Sequence, residues 1–194
     1  MPYIFKFLIN HHLHFEAPLE SEQCVATTNS GQRCKRNTVI GCGYCYTHLL
    51  KLKHLRIKTS TIEGAGKGLF ALDPTESDNA IIFKKDDKII KYDGELVDRD
   101  ELDERYGGYT APYGVEISRT KDEYEDGALH RGVGTLVNHS TRDANCRFSV
   151  TRNGNIVLKA TRNIRNNKEI LVDYGRNYNF NEDTSYKTTY DSRR

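Results

Sequence analysis

The sequence predicts a strand-rich domain of ordinary size behind a small metal-nucleated module, and three observations carry that expectation. Four of the five cysteines and a histidine fall within 25 residues, at Cys24, Cys34, Cys42, Cys45 and His48. From Leu55 onward the apolar residues come in short runs: Ile81-Ile82-Phe83, Lys88 to Tyr92, Tyr113 to Ile117, Ile156 to Leu158 and Ile170 to Val172. Runs of that length, separated by turn-forming pairs such as Asp93-Gly94 and Asn153-Gly154, read as strands and hairpins. Size is the third: 194 residues hold one main core and one small module, not two large domains.

In chain order, residues 1–20 show no strong period, and Pro18 with Glu16, Glu20 and Glu22 predicts an irregular lead-in. Residues 21–54 form the Cys/His module, ending in a short helix from His48 to Leu55. Residues 55–180 form the main domain, whose one internal helix is expected over Asp98 to Tyr106, with Asp98 as cap and Leu102 facing the core. Residues 181–194, rich in Thr, Ser, Asp and Arg, predict a flexible tail.

Charged residues make up 29% of the chain and apolar ones 37%, so the core is economical and leans on twelve Tyr and seven Phe. No stretch is long enough to span a bilayer, which predicts no membrane partner. Lys6 and three His interrupt the moderately apolar Met1 to Phe15, and no small-residue cleavage site follows. An intracellular, reducing setting is therefore expected. The formal charge of +2 argues against a protein devoted to coating nucleic acid. Its distribution is uneven: Cys24 to Lys58 holds seven bases and no acid, whereas Asp86 to Arg105 holds nine acids and four bases. The first stretch suits an anion, through Arg33, Lys35 and Arg36, and the second a basic partner.

Zinc needs four ligands at tetrahedral corners, and Cys-x2-Cys or Cys-x2-His loops deliver two from one turn. Cys42 with Cys45 is one such pair and Cys45 with His48 another, which leaves five candidates for four places. The order Cys24, Ser30-Gly31, Cys34-Lys35-Arg36 and a terminal Cys-x2-His resembles a small finger-like module. That resemblance implies Cys24, Cys34, Cys45 and His48 as ligands, with Cys42 in reserve. Four protein ligands make a closed, structural site, and a segment this short needs the ion as its core.

Five separated segments carry a second resemblance. They are Ser60 to Ala71 with Gly64, Gly66 and Gly68; Tyr92-Asp93-Gly94-Glu95; Tyr113 to Ile117 followed by Tyr124 to Gly127; Gly132 to Ser140 with Asn138-His139-Ser140, then Asn145-Cys146; and Lys168 to Gly175 with Asp173-Tyr174-Gly175. The glycines fit neither a dinucleotide fold, which needs Gly where Leu69 stands, nor a phosphate loop, which needs Ser or Thr where Gly68 stands. In order and spacing the five segments resemble the SET methyltransferase family, and most of all its short viral members.

The resemblance implies an α+β, mostly β SET fold of small curled sheets with a knot-like crossing at the active site. It also implies S-adenosylmethionine as methyl donor, held by Gly66, Lys67, Gly68, Asn138, His139 and Tyr174, with Tyr174 catalytic. The substrate would be lysine in a basic protein such as a histone tail, which points to the nucleus or to a virus-infected host cell. Thr135 stands where the family has Arg, Thr141 where it often has a zinc-binding Cys, and no cysteine follows Cys146 to build the usual closing cluster. Tyr113, Tyr178 and Phe180 are then expected to wall the substrate channel.

Two rival functions remain from the residues alone. One is a SET-like binding or adaptor protein without turnover; the other is a zinc-finger protein whose basic module contacts nucleic acid. The sequence leaves the oligomeric state open.

Overall fold

A computed structural model of the chain describes residues 3–9, 12–19, 22–38, 42–107, 110–118, 120–130, 132–176, 178 and 184–190. The elements in chain order are β1 (Tyr3–Ile9), β2 (His12–Leu19), α1 (Tyr46–Lys53), β3 (Leu55–Thr59), β4 (Lys67–Ala71), β5 (Ile81–Phe83), β6 (Lys88–Lys91), β7 (Glu95–Asp98), α2 (Arg99–Tyr106), β8 (Gly114–Ser118) and β9 (Glu123–Asp126). A 3-10 turn (Val133–Leu136) follows, then β10 (Asn138–His139), β11 (Cys146–Val150), β12 (Ile156–Ala160), β13 (Ile164–Arg165), β14 (Leu171–Val172) and β15 (Thr184–Tyr190). The strands form five small sheets, ordered β15-β1-β2, β10-β14-β11-β12-β6, β13-β5, β3-β4 and β7-β9-β8. This is the mostly β architecture of small sheets that the sequence predicts.

The short apolar runs become strands because each buries one or both faces. Leu55, Leu69, Ala71, Val137, Leu158, Ile164, Ile170 and Val172 meet in the main core, all at 2% exposure or less. Each such Leu or Ile contributes about 1.5–3 kcal/mol by leaving water. A second cluster of Val97, Leu102, Tyr106, Tyr124 and Ala128 lies under α2. Asp98 caps α2 by accepting from the Glu101 amide at 2.9 Å, and Gly107 ends it at φ +63°. Fully buried Asp126 accepts from Arg105 Nη1 at 2.8 Å, Tyr106 Oη at 3.1 Å and the Ala128 amide at 3.0 Å. Burial raises its carboxyl above the usual range, and these donors offset only part of the rise.

The crossing is built around β14. It lies between β10 and β11 and runs parallel to both, with Asn138 opposite Leu171, His139 opposite Val172, and Cys146 also opposite Val172. Since β10 and β11 are consecutive, residues 140–145 must pass from one side of β14 to the other. Asn145 pins the passage: its Nδ2 donates to the Glu169 carbonyl at 2.8 Å and its Oδ1 accepts from the Leu171 amide at 3.0 Å.

Three elements differ from expectation. The lead-in is not irregular: β1 and β2 form an antiparallel pair with a bulge after Phe7. The segment expected as a flexible tail contributes β15, which pairs along β1 from Tyr3 opposite Tyr190 to Ile9 opposite Thr184. Tyr and Thr favour a pleated strand once a partner strand exists, and a single-segment reading cannot see that partner. The module helix begins two residues early, at Tyr46, and ends at His54 in the left-handed region, φ 52°. Among the described residues no helix is long and apolar enough to cross a membrane.

Candidate active site

The site is assembled at the crossing, where β10 and β14 bring Asn138, His139 and Tyr174 beside the loop that enters β4. Glu169 organises this corner, although its residue type suggested no such role. Nearly buried at 5% exposure, it accepts from Ser60 Oγ at 2.7 Å, the Thr61 amide at 2.7 Å, Thr61 Oγ1, and Asn138 Nδ2 at 3.1 Å. Burial would raise its carboxyl, but the hydrogen bonds from Thr61, Ser60 and Asn138 prevail and hold it below the ordinary glutamate value. Asn138 Nδ2 also reaches Ser60 Oγ and the Lys67 carbonyl, both at 3.0 Å. The Asn138 side chain therefore ties β10 to the glycine loop.

That loop is closed by the Ser60 amide donating to the Gly66 carbonyl at 2.9 Å. Gly64 and Gly66 take φ +76° and +69°, and a Cβ at either would meet nothing within 4 Å. Their Cβ positions face open space, and the positive φ is what calls for glycine at both. Gly68 is the reverse case: a Cβ there would collide with the Glu169 carboxylate and lie 3.1 Å from Asn138 Nδ2.

His139 Nδ1 accepts from the Tyr174 amide at 3.0 Å, so its proton sits on Nε2, which donates to Thr141 Oγ1 at 3.1 Å. The Tyr174 amide thus fixes the tautomer of His139, and Thr141, a departure from the family pattern, takes the remaining N–H. Tyr174 Oη donates to the Val137 carbonyl at 2.8 Å, and its ring lies 5.2 Å from His139 and 4.8 Å from Tyr178. With its proton on a carbonyl, the phenol oxygen meets a ligand as an acceptor.

Tyr174 opens onto a cleft of about 710 Å³ between the α2, β8 and β9 side and the Val137, Phe148 and Tyr178 side. Tyr92 and Phe148 meet edge to face in its wall, with centroids 5.6 Å apart. Asp103, Glu116 and Asp122 stand on its rim against Arg99 and Arg176. Arg99 is engaged, bonded to the Tyr124 hydroxyl and lying 4.8 Å over its ring.

Of the expected channel residues, the structure brings Tyr178 to the cleft. Tyr113 stands beside it instead: Pro112 and Gly114 line the cleft, and Tyr113, in the turn before β8, packs on the cluster under α2. It contributes its carbonyl, which accepts from Tyr92 Oη at 2.7 Å. Phe180 lies outside the described residues. Phe148, Val137 and Glu169 were missed, the last two because a carbonyl and an internal anchor carry no mark in the sequence.

Eleven residues, the rest of α1, His54 and β3, separate Ser60 from the last of the cysteine-cluster residues, His48. The ligand atoms of Cys24, Cys34, Cys45 and His48 all lie within 4.8 Å of one another. His48 Nδ1 is 3.4 Å from Cys24 Sγ and 3.3 Å from Cys45 Sγ. Metal bonds of about 2.3 Å to sulfur and 2.0 Å to nitrogen predict tetrahedral S···N edges of about 3.6 Å, so donor set and spacing fit zinc. Burial opposes ionisation of Cys45, yet the His48 and Thr47 amides and the Cys24 and His48 side chains lower its thiol to about 7. Cys42 is apart from the group, half-buried against the main core. All five thiols are free of disulfides.

The module's bases are largely occupied within the chain. Arg33 donates to the Cys24 and Gln23 carbonyls, Arg36 to Thr47, Lys51 to Asn29 and Lys58 to Asn167. Lys53 lies over Tyr44 and Arg56 over Tyr46.

The sequence pattern of the SET domain matches residues 66–175. The N-lysine methyltransferase KMT5A-A of Danio rerio is 28% identical over 124 residues, which cover 59% of this chain and 33% of that protein. Among solved structures, an active polycomb repressive complex 2 in the basal state matches with TM-score 0.54 and 26% identity, over 65% of this chain and 16% of that one. The Chaetomium thermophilum complex in an autoinhibited conformation bound to S-adenosylmethionine matches with TM-score 0.53 and 25% identity, over 65% and 16%. The chain thus spans about a third of the curated relative and about a sixth of these structures.

Proposed function

The chain belongs to the SET-domain family, and from that premise we propose that it is a protein lysine N-methyltransferase using S-adenosylmethionine on a basic protein such as a histone tail. The observation that carries the reading is Tyr174, its hydroxyl fixed on the Val137 carbonyl at the head of an aromatic cleft and its amide fixed on His139.

The residues around the glycine loop fit the donor. Gly66 offers open backbone, Lys67 an exposed ammonium for the donor's carboxylate, and Gly68, Asn138 and His139 the braced floor beneath. When bound, S-adenosylmethionine supplies an electrophilic methyl group on a sulfonium.

This chain must then present lysine unprotonated and in line. Removing the proton of a free lysine at pH 7 costs about 4.6 kcal/mol, at about 1.36 kcal/mol per pH unit from a reference near 10.4. Desolvation between Tyr92, Phe148, Tyr174 and Tyr178 opposes the ammonium form, and burial lowers a lysine pKa by up to about 3–5. No strong base is needed. Tyr174 Oη, an acceptor, takes a hydrogen bond from the amine and aims its lone pair. Tyr178 covers the Tyr174 ring and limits water. Asp103, Glu116 and Asp122 on the rim favour basic residues flanking the target lysine.

In the same proposal Cys24, Cys34, Cys45 and His48 hold one structural zinc, and residues 21–54 and 55–180 are the working units. The test is transfer of radiolabelled methyl from S-adenosylmethionine to histone peptides, with donor uptake measured by calorimetry. Specific uptake with lysine-dependent labelling is expected. Uptake without labelling would favour the adaptor reading, and neither would sink the proposal.

A further inference from the structure

We propose that the metal centre is a positioning element of the donor site: its ion sets the pose of α1 and, through the β3–β4 hairpin, the shape of the Ser60–Gly68 loop. The inference rests on reading that loop as the donor site, and it makes the module part of the machinery rather than an appended finger.

The first link is one helical turn with two duties. Cys45 is the N-cap of α1 and His48 lies in its first turn, so both ligands come from the start of this helix. Leu49, the next residue, is fully buried in the main core with Leu55, Leu69 and Ala71. One face of the turn therefore meets the ion while the adjacent face meets the core. An eight-residue helix is too short to persist alone, since isolated helices need about 12–15 residues. At its N-cap the Cys45 amide donates to Cys24 Sγ at 3.2 Å.

The second link is that, among the described residues, the module has no other core of its own. Its apolar cluster consists of Cys24, Ala26, Cys34 and Cys45 with Tyr44 against them, and three of those are ligand sulfurs. Without the ion, the side-chain ties left between residues 22–38 and the helix are exposed polar ones, Arg36 to Thr47 at 2.6 Å and Lys51 to Asn29 at 3.4 Å. Cys42 packs on the main core and Tyr44 touches both clusters, so residues 42–45 bridge the module and the core.

The third link runs from the helix to the loop. α1 ends at His54, whose carbonyl accepts from the Leu72 amide at 2.9 Å, and β3 begins at once with buried Leu55. β3 pairs with β4 in unbroken register from Leu55 opposite Ala71 to Thr59 opposite Lys67. The C-terminal end of α1 and the glycine loop thus sit at opposite ends of a hairpin whose strands are five residues each, about 17 Å long at roughly 3.4 Å per residue. At its far end Ser60 binds Glu169 and Asn138 reaches the Lys67 carbonyl. A shift of β3 along β4 changes every one of those contacts.

The experiment uses the full chain as purified with zinc, stripped with a chelator, and reloaded. Amide hydrogen exchange is read across the protein, and S-adenosylmethionine affinity by calorimetry. Stripping should speed exchange over residues 55–70 and weaken donor binding by about ten-fold, within the usual range of coupling between sites, and zinc should restore both. Exchange in the β11–β12 hairpin should not change. Leu49→Ala leaves all four ligands in place; it should keep one zinc per chain yet show the same loosening of 55–70. The proposal is overturned if purified protein holds no zinc, if exchange over 55–70 is indifferent to stripping, or if Leu49→Ala leaves that segment unchanged. It is equally overturned if stripping unfolds β11 and β12 as well, because the ion is then a general fold requirement. Should zinc-loaded protein bind no donor at all, the methyltransferase reading fails, while the exchange data still decide the coupling.

Discussion

A methyl group added at Gly68 would collide with a carboxylate that four donors already hold, and Asn138 Nδ2 at 3.1 Å closes the other side. Gly68→Ala should therefore weaken donor binding by more than about ten-fold, roughly 1.4 kcal/mol, while thermal unfolding stays cooperative. Calorimetric affinity equal to wild type would show that Glu169 is free to move aside. Glu169 also makes a prediction about acid. Its carboxyl lies below the ordinary glutamate value in the folded state, so its contribution is complete above that value and is lost as pH falls through the depressed one. Wild type should lose more stability than Glu169→Gln as pH drops below about 4.3, the unfolded reference. Parallel urea midpoints for the two proteins from pH 6 to pH 3 would contradict this. Tyr174→Phe keeps the ring beside His139 and Tyr178 and removes only the hydroxyl. Turnover should fall by about 100-fold, the scale of one lost preorganised group, with donor affinity changed by less than about two-fold. Asn138, His139 and Tyr174 were legible in the sequence because a short polar motif marks them. Glu169 was not, because its partners Ser60 and Thr61 lie 108 or 109 positions away.

At the scale of elements, local signals held where the element is its own cause. α2 announces itself through Asp98, which caps it, and Leu102, which anchors it. The Asn153-Gly154 turn likewise gives the β11–β12 hairpin, with Gly154 at φ +78°. Channel assignment was harder, since Tyr113 and Gly114 are adjacent at the entry to β8 and only the second lines the cleft. Tyr178 extends the wall from the segment after Gly175, where its ring packs on Tyr174. Tyr178→Ala should raise KM for a basic peptide several-fold and slow turnover, because water then reaches an amine that desolvation keeps neutral. A shift of the pH-rate profile to higher pH is the distinguishing sign, as a wetter channel leaves the lysine more basic. An unchanged profile would limit Tyr178 to packing.

For the whole molecule, the feature that no single segment reveals is the sheet that joins the two ends of the sequence. β1 lies between β2 and β15, so residues 184–190 cover one edge of a strand that begins at Tyr3. Pairing between residues 3–9 and 184–190 leaves no local period, and a Thr- and Tyr-rich stretch read alone looks like a tail. The register is continuous, from Tyr3 opposite Tyr190 to Ile9 opposite Thr184. A strand of this composition with an unpaired edge is a template for another chain, because its amide and carbonyl groups face outward in a row. Ending the chain after Glu182 removes β15 and leaves that edge open. The shortened protein should therefore elute from size exclusion at a larger, concentration-dependent mass than the full chain, and Lys6→Pro should suppress the shift by removing a ladder donor. Methyl transfer per molecule at low concentration should persist, since Tyr174, Tyr178 and the glycine loop all precede the cut. If the shortened chain matches the full one in mass at every concentration, β15 does not protect the β1 edge, and the terminal sheet contributes nothing to keeping the chains apart.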